Sequence, residues 1–201
     1  QAGDNDTNGI SIRANALALN SGTIRDAAGN YATNLNHIAV SDNADYMVDT
    51  TPPTVNSVGI TSATTGIQNS FVNANDVVSV AATFSERVIV VSGTPTLTLV
   101  VGSTDRTATY ASGSWTSGSG STPLVFQYTI QAEENDDDGI RIEANVLALN
   151  SGTISDLAGN NATDLTHSAV SDNSSYMVDT TVPTVNSFTI SDTLLVVGDN
   201  A

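Results

Sequence analysis

The sequence predicts an all-β protein built from tandem sandwich repeats of about 130 residues, and two observations carry this prediction. The first is an internal repeat, because residues 1–60 and 131–190 are identical at 42 of 60 positions without a gap. The second is the alternation of apolar and polar residues over short segments, which is typical of half-buried β-strands. Gly, Ser, Asn, Asp and Pro fill the spaces between these segments, and no convincing helix of ordinary length is seen.

The repeat also predicts the domain boundaries, because the related stretches VDTTPPTV and VDTTVPTV punctuate it. Residues 1–51 are expected to form the C-terminal part of one repeat, and residues 52–181 a complete repeat. Residues 182–201 are expected to supply the first strand or strands of a following repeat. The chain opens with Gln1, without a Met or a signal peptide, so we expect it to be a piece of a longer protein.

Eight segments of the complete repeat are β-rich and mostly alternating: TVNSVGI, DVVSVAATF, RVIVV, TLTLVV, RTATYA, LVFQYTIQ, IRIEANVLAL and SYMVD. Seven or eight short strands in a unit of this size favour an Ig-like β-sandwich of two sheets. The repeat is too long for a β-solenoid rung or a propeller blade. Aromatic residues are few, so we expect a core of Val, Ile, Leu and Ala.

Charge excludes several kinds of partner. The chain has 21 acidic and 5 basic residues, a net charge of −16, so we expect it to repel nucleic acid and anionic lipid and to attract cations. No run of 18 apolar residues exists, so no membrane insertion is predicted. There is no Cys, which excludes disulfides and thiol chemistry. The complete repeat has 13 acidic and 3 basic residues, which gives a net charge of −10.

Three motifs, ATFSE, DLAGN and YMVDTTVPTVNS, carry a resemblance when they are taken in this order and at this spacing. Together they resemble the bacterial Ig-like repeats of giant RTX-type adhesins, and they are similar to the extender repeats of an ice-binding adhesin. The resemblance covers the whole chain. It implies long tandem arrays, export to the bacterial cell surface, a role in biofilm attachment, and calcium between the repeats.

Two acidic loops at the same position of the repeat fit the first half of an EF-hand-type loop, D-x-D-x-[DN]-G. In DNDTNG the candidate ligands are Asp4, Asp6 and Asn8, and in ENDDDG they are Glu134, Asp136 and Asp138. The helices and the distant bidentate Glu of an EF-hand are missing. A solvated acidic hairpin turn therefore remains an alternative interpretation of both loops.

Topology predicts a second cluster at the N-terminal pole of the complete repeat. In an Ig-like sandwich, Glu86 follows strand B and the loop with Asp156 and Asn160 follows strand F, so all three lie at that pole. The linker brings Asp49 to the same place. The ENDDDG loop is expected at the opposite pole, close to Asp179. Because Ca²⁺ accepts many loosely arranged oxygen ligands, calcium is the predicted cofactor at the joints between repeats.

Other candidate residues favour structural roles. His37 and His167 occupy the same repeat position without a second His or a Cys nearby, so a surface or strand-edge role is predicted rather than zinc binding. No nucleophile motif and no cleft lined with aromatics is indicated, so no enzyme is predicted. Trp115 lies in a Gly/Ser-rich stretch and is interpreted as a loop anchor, with an exposed adhesive contact as the alternative.

The predicted function is that of a structural extender segment of a large secreted or cell-surface adhesin. Calcium at the domain joints would stiffen the array and hold a distal binding domain away from the cell. The predicted partners are neighbouring repeats of the same chain, or neighbouring protomers. Two alternatives remain: a subunit of an extracellular filament assembled by strand exchange, and a binding module for carbohydrate or ice. Carbohydrate binding would need clustered exposed aromatics and ice binding a flat array of Thr, and the sequence shows neither.

Overall fold

The computed structural model describes residues 1, 3–63, 69–113 and 123–189. Thirteen β-strands and no helix lie in these ranges, which confirms the all-β prediction, and none of the described residues forms a helix that could cross a membrane. The strands are β1 (Ile10–Ile12), β2 (Val40–Asn43), β3 (Val55–Ala63), β4 (Phe71–Val72), β5 (Val77–Phe84), β6 (Ile89–Ser92), β7 (Thr96–Val101), β8 (Thr104–Ser112), β9 (Leu124–Thr129), β10 (Asn135–Asp136), β11 (Leu147–Ala148), β12 (Thr153–Ser155) and β13 (Met177–Asp179).

Residues 52–181 contain one large sheet and two small ones. The large sheet has the order β11-β7-β8-β9-β5-β3, with every neighbouring pair antiparallel. The small sheets have the orders β10-β13-β4 and β12-β6. The pair β13-β4 is parallel, so the end of the unit returns alongside a strand near its beginning. This arrangement is consistent with a β-sandwich.

The core of this unit is aliphatic, as its composition predicts. Strand β5 carries Val78, Val80 and Ala82 on its buried face, and Leu97 and Leu99 of β7 alternate inward in the same way. Phe126 of β9 lies in the centre and meets Tyr110 edge to face, with ring centroids 6.1 Å apart. The small sheets contribute Val72, Ile154 and Val178 to this core, which brings together widely separated parts of the unit.

The segment IRIEANVLAL differs from its prediction as one alternating strand. Isolated bridges hold its first part, because Arg141 exchanges backbone hydrogen bonds with Val100 and Ile142 with Val170. Asn145 then adopts a positive φ of 60°, and only Leu147 and Ala148 form a strand beyond it. A left-handed residue turns the backbone out of the extended conformation, so the segment divides into two short pieces.

Residues 1–51 form a small unit ahead of the complete one, with the antiparallel pair β1-β2 as its sheet. Many of its apolar side chains are exposed. Residues 182–189 form no strand, and residues 190–201 lie outside the described residues, so the start of a third repeat stays a prediction. Trp115 also lies outside the described residues.

Candidate metal centre

Three carboxylates meet where residues 1–51 join the complete unit, as the predicted topology requires. Asp49, Glu86 and Asp156 each offer an oxygen, and these oxygens lie within 4.8 Å of one another. The three residues are 37 and 70 positions apart in sequence, so the fold and not local sequence brings them together. Within the described part of the chain, no other group of three or more His, Cys, Asp or Glu residues is this close.

Backbone contacts fix Glu86 beside the linker. Strand β5 ends at Phe84, and the next residue, Ser85, donates its N–H to the carbonyl of Thr54 at 2.8 Å. The hydroxyl of Ser85 accepts the N–H of Thr54 at 3.0 Å. These two bonds close the turn after β5 against the start of β3, so Glu86 is held at the point where the chain enters the unit.

A local turn positions Asp156. Its Oδ1 accepts the backbone N–H of Asn160 at 2.8 Å, and its Oδ2 accepts the Asn160 side-chain amide at the same distance. Such bonds from Asp to its own following backbone are the usual device of an Asx-type loop. Asp156 is buried, so this carboxylate is rigidly placed.

The third carboxylate of the cluster, Asp49, comes from the end of residues 1–51, where the linker begins. The Asn160 side chain also donates to the backbone carbonyl of Asp49 at 3.1 Å, which ties the linker to the complete unit. Oδ1 of Asp49 accepts the N–H of Thr51 at 2.9 Å, and Asp49 itself is exposed. The amide nitrogen of Asn160 therefore connects the carboxylate of Asp156 to the backbone of Asp49.

The three carboxylates of this cluster carry charges that disfavour one another. Burial raises the pKa of Glu86 above its ordinary value, and the negative charges of Asp49 and Asp156 raise it further. Three carboxylates at this separation repel one another unless a proton or a cation lies between them. The cluster opens on a cleft of about 680 Å³ between the two units, whose apolar lining includes Met47 and Leu157.

The two predicted half-EF-hand loops are held by hydrogen bonds within the protein. Oδ1 of Asp6 accepts the N–H of Gly9 at 2.8 Å, and Oδ1 of Asp136 accepts that of Gly139 at 2.7 Å. Gly139 has a φ of +101°, and a Cβ there would collide with the carbonyl of Asn173. This repeated turn explains the repeated Asp and Gly in structural terms.

The other oxygen of Asp136 is also engaged, because its Oδ2 accepts the N–H of Gly102 at 2.7 Å from the β7-β8 turn. Glu134 is buried and forms an ion pair with Arg106, and it accepts from the Tyr128 hydroxyl at 2.6 Å and the Gln131 N–H at 2.8 Å. Burial and this hydrogen bond raise the pKa of Tyr128 to about 12. Asp136 and Glu134 therefore stabilise this pole of the unit through contacts within the protein.

The remaining predicted ligands are exposed and lie apart from the three-carboxylate cluster. Asp4 bonds the chain's own amino group at 2.7 Å, and the Asn8 amide donates to Asp42 at 2.6 Å. Asp138 is exposed, and Asp179 pairs with Asn135 where β13 meets β10. The ENDDDG loop and Asp179 thus share one pole, as predicted, but a metal site there stays a prediction.

The prediction of a surface or strand-edge role was wrong for His167. This side chain is buried, its Nε2 accepts the N–H of Val146 at 3.0 Å, and its Nδ1 lies 2.9 Å from the carbonyl of Ser168. Its own N–H donates to the side chain of Asn145 at 2.8 Å. The repeated pairing of an Asn with a His 22 residues later is the sequence signal that indicates this role.

Fold and site together define a class: an all-β protein of internal repeats in which carboxylates from two consecutive units meet at the joint. The chain matches no protein-family model, and neither a curated protein nor a solved structure matches it.

Proposed function

We propose that this chain is an extender segment of a large secreted or cell-surface adhesin, built from Ig-like repeats whose joints are made rigid by Ca²⁺. One observation carries the proposal: Asp49 comes from the residues that precede the complete unit, whereas Glu86 and Asp156 belong to that unit. A cation held by all three would connect the two units directly. The linker between them is short and contains two consecutive Pro residues, so little other freedom remains.

The ligand chemistry favours Ca²⁺ over other cations. The cluster offers carboxylate oxygens without His or Cys, which disfavours zinc and copper. The solvent of the open cleft can supply further oxygen ligands. Ca²⁺ accepts six to eight oxygens in flexible geometry, whereas Mg²⁺ demands a near-ideal octahedron. A half-exposed cluster assembled from three separate segments therefore suits Ca²⁺ better than Mg²⁺.

Charge makes calcium a switch for the joint. Without a cation, the carboxylates of Asp49, Glu86 and Asp156 repel one another across the joint and favour its opening. With Ca²⁺ the same carboxylates hold the units together. An array of such units would be stiff in calcium-rich surroundings and flexible without calcium, which suits a spacer that holds a binding domain away from a cell. No catalytic role is proposed.

The test compares thermal unfolding in EDTA, in millimolar Ca²⁺ and in Na⁺ of matched ionic strength. Selective binding to the folded state adds RT ln(1 + [L]/Kd), about 2.7 kcal/mol at a hundredfold excess of ligand over Kd. We expect Ca²⁺ to raise the melting temperature and Na⁺ not to do so. Equal melting in EDTA and Ca²⁺ would exclude the calcium site, and an equal gain from Na⁺ would indicate screening alone.

The filament subunit is a second candidate because residues 1–51 expose many apolar side chains that another protomer could cover. The oligomeric state of the chain separates the two candidates. An extender segment is expected to stay monomeric in solution, whereas a strand-exchange subunit forms oligomers whose fraction grows with concentration.

A further inference from the structure

Asn160 lies in the loop that follows strand β12, beside the three-carboxylate cluster, and it is partly buried. Its side-chain nitrogen, Nδ2, donates to Oδ2 of Asp156 at 2.8 Å and to the backbone carbonyl of Asp49 at 3.1 Å. Its backbone N–H donates to Oδ1 of Asp156 at 2.8 Å. One residue of the complete unit therefore bonds both a buried carboxylate of that unit and the backbone of residues 1–51.

The bond to Asp49 differs in kind from the two bonds to Asp156. Asp156 and Asn160 are four residues apart, so their bonds form within one loop wherever the other unit lies. Asp49 and Asn160 are 111 residues apart. Their bond forms only when the linker lies against the complete unit, an arrangement here called the closed joint, so this bond favours the closed joint.

The first copy of the repeat contains the same loop without the bond to a linker. Asn30 donates from its backbone N–H and from Nδ2 to the two carboxylate oxygens of Asp26, both at 2.9 Å. Within the described part of the chain, the Asn30 side chain bonds only Asp26. The local turn therefore needs only the bonds to the Asp, and Asn30 is a matched reference for the additional bond of Asn160.

This additional bond places the one carboxylate that comes from the other unit. Glu86 follows the turn after β5, and Asp156 is held in its own loop, so both belong to the complete unit. Asp49 is exposed, and only the linker brings it to them. A donor on the carbonyl of Asp49 fixes the backbone that carries this third carboxylate. Because a site that is only partly populated binds its ligand more weakly by that fraction, a larger closed share strengthens binding.

We propose that Asn160 is a positioning residue of the joint, whose side-chain amide nitrogen holds Asp49 beside Glu86 and Asp156. The role belongs to the Nδ2 donor and not to the side-chain oxygen as a ligand of the ion. Its effect on Ca²⁺ affinity rests on the proposed function. The contact itself consists of protein atoms alone, so its effect on the joint can be measured in EDTA.

The first measurement follows the joint in EDTA. Spin labels at Ser41→Cys and Ser103→Cys, one in each unit and both exposed, give the share of molecules at the distance of the closed joint. We expect Asn160→Ala to lower this share about two- to tenfold, the effect of losing one hydrogen bond of ordinary strength. Asn30→Ala removes the same local bond to an Asp and should leave the share unchanged. Asn160→Asp should lower it at least as far, because a fourth carboxylate replaces the donor.

The second measurement is a titration of the full chain with Ca²⁺. Asn160→Ala should raise Kd by about two- to tenfold without changing the number of ions bound, because binding then has to close the joint as well. Asn30→Ala should keep the original Kd.

The two measurements separate the positioning role from the calcium site. An equal closed share in EDTA for Asn160→Ala and the unsubstituted chain overturns the positioning role. If that share is equal and Kd nevertheless rises, Asn160 is a direct ligand of the ion instead. If Ca²⁺ binds to none of the chains, the calcium proposal fails, whereas a closed share that falls in EDTA for Asn160→Ala and not for Asn30→Ala still supports the positioning role.

Discussion

The two copies of the repeat, residues 1–51 and 131–181, have the same turns but bury their apolar side chains to different degrees. The bond from Gly9 to Asp6 is repeated from Gly139 to Asp136, within 0.1 Å of the same length. The Asp-to-Asn loop at Asp26 is repeated at Asp156 with both of its side-chain bonds. Yet the first copy exposes its apolar side chains and the second buries them.

This difference separates what local sequence determines from what a partner layer determines. Asx-type turns need only residues a few positions apart, so they form in both copies. Burial needs the sheet formed by residues 52–130, and only the second copy has it. The carboxylates show the same difference, because Asp26 and Asp156 have the same local loop but only Asp156 meets Asp49 and Glu86.

The largest expected effect on stability distinguishes Ile24 from Ile154, which occupy the same position of the repeat. Ile154→Ala leaves a cavity in the core and should lower the free energy of unfolding by about 2–5 kcal/mol. Ile24→Ala removes a half-exposed side chain and should change it by less than about 0.5 kcal/mol. Chemical denaturation of both variants measures the difference. Equal losses would mean that the two copies are buried to the same degree in solution.

The second effect concerns the joint. Asp156→Asn keeps the size and the turn-forming oxygen of the side chain but removes a charge, so it should abolish most of the calcium-dependent stabilisation, about 2.7 kcal/mol at a hundredfold excess over Kd. Asp26→Asn is the matched control in the same loop and should keep the full calcium response. Melting curves in EDTA and Ca²⁺ give both values. A normal calcium response in Asp156→Asn would remove that residue from the site.

The third effect tests the buried histidine. His167→Ala leaves the N–H of Val146 without its acceptor and should cost about 1–3 kcal/mol. His37 is only partly buried, and its Nε2 accepts the N–H of Leu17 at a longer 3.3 Å, so His37→Ala should cost less. Denaturant midpoints compare the two variants. A larger loss at His37 would contradict the difference in burial.

The smallest effect is the dependence on pH. The pKa of Glu86 is raised in the folded state, so its contribution favours folding below its unfolded-state pKa and is lost as pH rises through the folded value. In EDTA at neutral pH, Glu86→Gln should therefore stabilise the chain, by less than about 1 kcal/mol after solvent screening. In Ca²⁺ the same substitution should destabilise it. Melting temperature against pH checks the sign, and destabilisation in EDTA would contradict the repulsion.

Sequence patterns predicted most of the strands and the meeting of Glu86, Asp156 and Asp49, because alternation and the order of strands in a sandwich are enough for both. They did not predict that Glu134 and Asp136 would be buried. The acidic spacing of ENDDDG fits an ion loop and an Asx-type turn equally well, and the choice depends on Arg106, Tyr128 and Gly102 from other strands. Such long-range contacts cannot be predicted from the local sequence pattern.

The most direct test of the joint measures the distance between the two units in the full chain. The chain has no Cys, so spin labels at Ser41→Cys and Ser103→Cys, both exposed, report one distance between residues 1–51 and the complete unit. We expect a broad distance distribution in EDTA and a narrow one in Ca²⁺, with Asp156→Asn broad in both and Asp26→Asn narrowing like the unsubstituted chain. A width that Ca²⁺ leaves unchanged, or an Asp156→Asn variant that narrows normally, would contradict a calcium-stiffened joint.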